Sequence, residues 1–229
     1  GKRVLITGGN GFLGSYIADI LAEFNKTLIN PIKIYILNKN KINNNSRLSH
    51  LVEDSNVNFI TQDIGNSFEL PFKINIIFHA ASPASPDSFL NNPIETIDSN
   101  VNGVRNLLEY SKNNFVENFL FFSSGDIYGN PSLGQIPSSE KYFGNVDPLC
   151  PRSCYSESKR FAETLCSVFF RKFGVPIKNL RIGHTYGPGL RNDKAIYEFF
   201  KKSIEDKEIN LRDKGEARIS FCYVSDAVR

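Results

Sequence analysis

Near the N-terminus an apolar run, Val4-Leu5-Ile6, passes into Thr7-Gly8-Gly9-Asn10-Gly11-Phe12-Leu13-Gly14 and then into a stretch with Leu13, Ile17, Ile20, Leu21 and Phe24 at helical spacing. This strand, glycine turn and amphipathic helix constrain the fold more than any other feature of the chain. Glycines at 8, 11 and 14 let the backbone turn tightly, approach a pyrophosphate and pack the helix against the strand. The N–H groups around Phe12 and Leu13 then face the phosphates. The motif predicts a dinucleotide site at the first strand-to-helix crossover.

The pattern after it alternates. Ile32–Leu37, Val57–Thr61, Asn75–His79, Asn118–Phe122 and Ile177–Ile182 read as further strands. Pro93–Lys112 and Pro151–Phe173 read as long helices between them. Alternation of this kind predicts an α/β chain, a Rossmann-like doubly wound parallel sheet covered by helices. Beyond Ile182 the pattern loosens, with a helix over Lys194–Asp206 and short strands over Glu208–Leu211 and Ile219–Tyr223. The expected organisation is a dinucleotide-binding domain over 1–182 and the start of a substrate-binding part over 183–229. The absence of methionine and the close on Tyr223-Val-Ser-Asp226-Ala-Val-Arg lead us to read the chain as a piece of a longer protein.

An acid at the end of the second strand would hold the adenine ribose hydroxyls, but Asn38 stands there, followed by Lys39. An amide still hydrogen-bonds a ribose yet does not repel a 2′-phosphate, which Lys39, Lys41 or Arg47 would attract. NAD is the expected cofactor, with NADP left open. Asp63 and Ile64, just past the third strand, are placed to meet the adenine.

Further along, Tyr155-Ser-Glu-Ser-Lys159 follows a strand that ends in Ser123-Ser124. Tyr155 and Lys159, four apart, share a helix face, so the ammonium is expected to lower the phenol pKa and make Tyr155 a base. Ser124 is placed to hydrogen-bond the same substrate hydroxyl.

With these residues in view, the chain resembles the extended short-chain dehydrogenase/reductases, in the NAD-dependent sugar-nucleotide epimerase/dehydratase family. The resemblance covers essentially the whole chain. It rests on the glycine turn, His79-Ala80-Ala81-Ser82, Asn100, Ser123-Ser124, the Tyr155/Lys159 pair and Arg181-Ile-Gly-His-Thr-Tyr-Gly-Pro188. It implies cofactor contacts at Ala80, Ala81, Ser82 and Asn100. It also implies that Tyr155 takes a proton from a sugar 4-hydroxyl while hydride passes from C4 to the nicotinamide, giving a 4-keto intermediate.

Within the family, Ser82-Pro-Ala-Ser85-Pro86, Asn92-Pro93, Glu140–Asn145 and Pro151-Arg-Ser-Cys-Tyr155 look most like UDP-glucuronate decarboxylases. Dehydratases of the family carry Asp-Glu after the catalytic serine. Here Gly125-Asp126 removes the elimination acid and shortens the base, which disfavours dehydration. Decarboxylases usually show Ser-Glu, so the pair departs from them too, and 4-epimerisation stays open. Ser85, His184, Arg191, Asn192 and Arg218 are the implied substrate contacts, His184 standing where relatives often carry Asn. The resemblance also implies a homodimer through the two long helices, whose Leu107, Leu108, Phe161, Leu165 and Phe169 fit either that contact or the core. A dinucleotide-sensing binding protein is the non-enzyme alternative, disfavoured by the intact Ser124, Tyr155 and Lys159.

Composition excludes other classes. A net charge of +3 with lysines and arginines scattered among acids shows no nucleic-acid footprint. No apolar run is long enough for a membrane span. Cys150, Cys154, Cys166 and Cys222 lack the spacing of a zinc site and are expected to be idle thiols of a reducing cytoplasm.

Overall fold

The structure, a computed structural model, describes residues 1–67, 69–211, 215 and 218–229. Among them the chain divides into two compact units, Gly1–Ile182 and Gly183–Arg229.

The first unit is built on six parallel strands: β1 (Arg3–Thr7), β2 (Lys33–Asn38), β3 (Val57–Thr61), β4 (Ile76–His79), β5 (Asn118–Ser124) and β6 (Ile177–Ile182). Their order is β3-β2-β1-β4-β5-β6, so the chain leaves β1 in one direction and returns to its other side with β4. In such sheets a ligand crevice opens beyond the carboxyl ends of the strands where the order reverses. That point lies between β1, paired from Arg3 to Thr7 with β2, and β4, whose His79 is opposite Thr7.

The central strands are short and apolar because they are covered on both faces. Leu5, Ile6, Ile34, Ile36, Ile77, Phe119 and Phe121 are fully buried. Helices α1 (Phe12–Asn25), α3 (Pro93–Asn114) and α4 (Ser153–Phe173) connect and cover them, with a short α2 (Pro86–Asn91) before α3. Leu107, Leu108 and Phe169 belong to the core and Leu165 packs against it, whereas Phe161 on α4 is half exposed. Of the apolar side chains that fitted either the core or a dimer contact, three are therefore core residues.

The second unit holds β7 (His184–Tyr186) and β8 (Phe221–Tyr223), paired in parallel, with α5 (Ala195–Ile204) and a terminal α6 (Val224–Val228). One sequence expectation fails here, and two elements went unread. Glu208–Leu211 forms no strand, β7 went unread because its partner lies far along the chain, and the final residues are helical. Upstream, α2 also went unread, and α4 starts at Ser153 rather than Pro151. The described helices include none long and apolar enough to cross a membrane.

Candidate active site

The glycine turn leaves room for backbone and ligand but for no side chain. Gly8 adopts φ +68°, and a Cβ there would sit 2.6 Å from the Ala81 Cα. A Cβ on Gly14 would lie 2.5 Å from the Gly8 carbonyl oxygen, and one on Gly11 3.0 Å from that same oxygen. Helix α1 then begins with Gly11 as its N-cap, without a capping side chain and without an acid in its first turn. Its first N–H groups, at Phe12 and Leu13, are thereby left to an external anion. A dinucleotide pyrophosphate fits this arrangement.

A cleft of about 560 Å³ opens at the switch point. It is walled by Gly8 after β1, Asn38 and Lys39 after β2, Asp63 and Ile64 after β3, and Ala81 and Ser82 after β4. These residues, named from the sequence, lie along one cleft, but one of its walls went unread. Glu95, Asp98, Ser99 and Asn102 of α3 also line the cleft, at a spacing that marks a single helix face. That periodicity was readable.

Individual side chains differ from their expected roles. Asn38 Oδ1 accepts the Asn10 N–H at 2.9 Å, so the amide braces the glycine turn. Lys39 pairs with Asp63 at 2.8 Å, a contact that raises the lysine pKa and lowers that of the carboxylate. The Arg47 guanidinium lies 5.5 Å from the Phe12 ring centre. The Ile64 side chain is buried in the core, so its route to an adenine is through the backbone.

Beside the cleft, Thr7 Oγ1 and His79 Nδ1 are hydrogen-bonded at 2.7 Å, fastening β1 to β4. Burial pushes His79 down to about 3, so its imidazole is neutral. Ser82 Oγ donates to Asn100 Oδ1 at 2.7 Å, Asn100 Nδ2 donates to Ser158 Oγ at 2.9 Å, and Ser158 Oγ donates to the Tyr155 carbonyl at 2.9 Å. Asn100, 1% exposed, thus ties the cleft wall to the helix carrying the tyrosine. Ala80, whose N–H donates to the Thr7 carbonyl at 3.2 Å, is not among the residues that line the cleft.

The tyrosine end departs from expectation in one respect. Tyr155 is buried and stacked on Phe89, ring centres 4.5 Å apart. Burial raises its pKa, hydrogen bonds with Ser124 and Ser82 pull it back, and the Asp126 carboxylate raises it further. No depression by Lys159 is seen. Lys159 itself is buried, donates to the Phe122 carbonyl at 2.7 Å, and is brought down by burial to about 7. The ammonium expected to activate the phenol is desolvated instead, and near neutral pH it exists in both charge states. Ser124 Oγ accepts the Asp126 N–H at 3.1 Å, which leaves its hydroxyl hydrogen for the phenol or for a substrate oxygen.

Other proposed contacts lie elsewhere. Ser85 is 3% exposed and caps α2, accepting the Ser88 N–H at 3.2 Å and sharing a 2.7 Å hydrogen bond with the Ser88 hydroxyl. Its hydroxyl is engaged within the chain rather than presented to a substrate. The Ser-Pro pair could have announced this helix, with serine as N-cap and proline in the first turn. His184, Arg191, Asn192 and Arg218 all belong to the second unit. His184 packs against Phe221 with ring centres 5.9 Å apart, and Arg191 is held by Asp193 at 2.8 Å. Asn192 and Arg218 are exposed.

All four cysteines are free thiols, Cys166 being buried and pushed up to about 12. Among the described residues no cluster of side chains could hold a metal ion.

Comparison with known proteins agrees with this geometry. UDP-glucuronic acid decarboxylase 1 of Xenopus tropicalis is 33% identical over 229 residues, which are 99% of this chain and 52% of that protein. UDP-glucuronic acid decarboxylase 5 of Arabidopsis thaliana is 34% identical, across 99% of this chain and 64% of its own length. The chain thus spans about half to two thirds of these relatives. The crystal structure of UDP-glucuronic acid 4-epimerase from Bacillus cereus, in complex with UDP-glucuronic acid and NAD, superposes with a TM-score of 0.80. It is 26% identical, over 99% of this chain and 70% of the epimerase. The model of the NAD dependent epimerase/dehydratase family matches residues 4–229, and the chain belongs to that family.

Proposed function

We propose that the protein containing this chain carries out NAD-dependent modification of a nucleotide-diphospho-sugar through a 4-keto intermediate, as a UDP-glucuronate decarboxylase. The observation that carries the reading is the buried Tyr155 with Ser124 and Ser82 at its phenol, Ser82 also lining the cleft whose glycine turn excludes side chains. The relatives named decarboxylases support the reaction, and the neighbour holding UDP-glucuronic acid and NAD supports the ligands.

Gly8, Gly11, Gly14 and the first N–H groups of α1 would hold the pyrophosphate of NAD, with Asn38, Asp63 and Ile64 toward its adenosine. Bound NAD supplies a reversible two-electron acceptor. Tyr155, acting as the phenolate, takes the proton of the sugar 4-hydroxyl, and Ser124 donates a hydrogen bond to the same oxygen. Lys159, with its pKa near 7, holds or passes on the proton that the phenol collects. Once C4 is a carbonyl, the C6 carboxylate belongs to a β-keto acid. The bond from C5 to the carboxylate carbon breaks, carbon dioxide leaves, and the electron pair enters the enolate of the 4-ketone. No strong base is required, so the exposed Asp126 suffices where relatives carry a longer acid.

Gly125 keeps a second reading in play, 4-epimerisation, because a small residue there leaves space for the keto sugar to turn over before reduction. A homodimer through α3 and α4, around the exposed Phe161, belongs to the same proposal. The test incubates the full-length protein with NAD and UDP-glucuronate and reads the products by mass spectrometry. Loss of carbon dioxide is the expected result. An unchanged mass with a new C4 epimer in the proton NMR spectrum moves the assignment to epimerase, and untouched substrate rejects this sugar.

A further inference from the structure

The adenosine end of the cleft lacks the acid at the end of β2 that would turn away a 2′-phosphate. Asn38 occupies that position, and its side-chain oxygen is engaged by Asn10. An uncharged amide offers its two N–H donors, and no negative charge, to a sugar hydroxyl or phosphate, so position 38 does not discriminate against a phosphorylated ribose. Next to it stands Lys39, a cation in a position to welcome one. From these two residues alone the cleft would favour NADP.

The remaining charges reverse that preference. Lys39 Nζ is held at 2.8 Å by Asp63, and Glu95 adds to the field on the same ammonium. Asp63 also accepts the Gly65 N–H at 2.9 Å, which fixes the carboxylate after β3 where it can reach the lysine. Among the described residues that line the cleft, Lys39 is the one cation against Asp63, Glu95 and Asp98. Another nearby cation, the Arg47 guanidinium, lies over the Phe12 ring and is not part of the lining. A 2′-phosphate would bring about −1.5 to −2 further charge into a cleft whose side chains already sum to negative, facing a cation that is occupied.

We infer that Asp63, by holding Lys39, and Glu95, across the cleft on α3, are the residues that restrict this protein to NAD. The exclusion of NADP has moved from the end of β2 to the end of β3 and the first turn of α3. Lys39 becomes a latent 2′-phosphate ligand, released when its partner loses charge. The inference rests on the dinucleotide reading of the cleft and is independent of which sugar the protein acts on.

The test is calorimetric binding of NAD and of NADP to the full-length protein, with no sugar present. The unsubstituted protein is expected to bind NAD at least about tenfold more tightly than NADP, the equivalent of one well-placed charge. Asp63→Asn keeps an oxygen for the Gly65 N–H and removes the charge. It should shift the ratio of NADP to NAD affinity about tenfold toward NADP. Lys39→Ala should leave NADP binding unchanged in the parent and cancel the gain in the Asp63→Asn background. Glu95→Gln, on an exposed position where misfolding is no concern, should narrow the preference in the same direction by a smaller factor. Equal affinities in the unsubstituted protein overturn the inference. So does an NAD-to-NADP ratio that neither Asp63→Asn nor Glu95→Gln alters, or a gain that survives Lys39→Ala. Binding of neither dinucleotide would reject the cofactor reading itself, an outcome distinct from NAD binding with unaltered selectivity.

Discussion

Residues 1–182 and 183–229 carry similar kinds of side chain and treat them differently. In the first unit, aromatic and aliphatic residues such as Phe119, Phe121, Leu107 and Ile77 are fully withdrawn from water. In the second, Val224 is the one buried residue among those described, while Phe199, Phe200, Ile204, Ile219, Phe221 and Tyr223 are exposed. The polar groups follow suit. Asn100, Ser158, His79 and Lys159 are buried and hydrogen-bonded, whereas Arg191 meets its acid partner in solvent. A side chain can be positioned for chemistry only where its surroundings are close-packed, because packing removes its alternative rotamers. The comparison therefore ranks the candidate residues: those of the first unit are fixed, those of the second are held only locally.

Four measurements bear on that ranking. The largest effect is expected at Tyr155. Tyr155→Phe should lower turnover about 10³-fold with an unchanged melting temperature; a loss no larger than that of Arg191→Ala would break the contrast. Next, Phe119→Ala should destabilise the fold by about 3–5 kcal/mol, read by denaturant unfolding. Phe200→Ser should stay within about 0.5 kcal/mol, and comparable costs at the two sites would erase the distinction.

His79 provides a pH version of the same comparison. Its pKa is about 3 in the fold against an ordinary 6.5. Between those values the unfolded chain binds a proton that the folded chain does not, so stability falls as pH drops from 6.5 toward 3. The loss amounts to a few kcal/mol, and His79→Gln should flatten the pH dependence of unfolding across that window. The smallest effect is Arg191→Ala, expected to change stability by less than about 1 kcal/mol, as for other solvent-exposed ion pairs.

What could be read in advance follows the same division. The strands of the first unit announce themselves as short apolar runs between turns, and the glycine spacing at 8, 11 and 14 marks the crossover because steric exclusion is local to the sequence. Tyr155 and Lys159 were legible because four residues bring two side chains onto one helix face. Their electrostatics were not, since desolvation depends on what Phe89, Phe121 and Phe122 place around them. Likewise the Lys39–Asp63 pair joins two loops 24 positions apart in sequence, and no local pattern reports it. In the second unit β7 and β8 pair across more than 30 positions, and of the two only the β8 stretch signals a strand alone. The capping role of Ser85 was not legible because a serine in a Ser-Pro pair serves equally as ligand contact or helix cap.

The contact between Gly8 and Ala81 has a consequence for the sequences this fold can accept. With the space for a Cβ at position 8 ending 2.6 Å away at the Ala81 Cα, the turns after β1 and β4 share one volume. Neither turn can drift independently over evolutionary time. A bulkier residue at 8 calls for a retreat of the backbone at 81, and that retreat displaces the adjoining Ser82 that bonds Asn100. Sequence variation at these two distant positions is thus expected to be coupled, with small residues retained as a pair and replacements entering together or not at all.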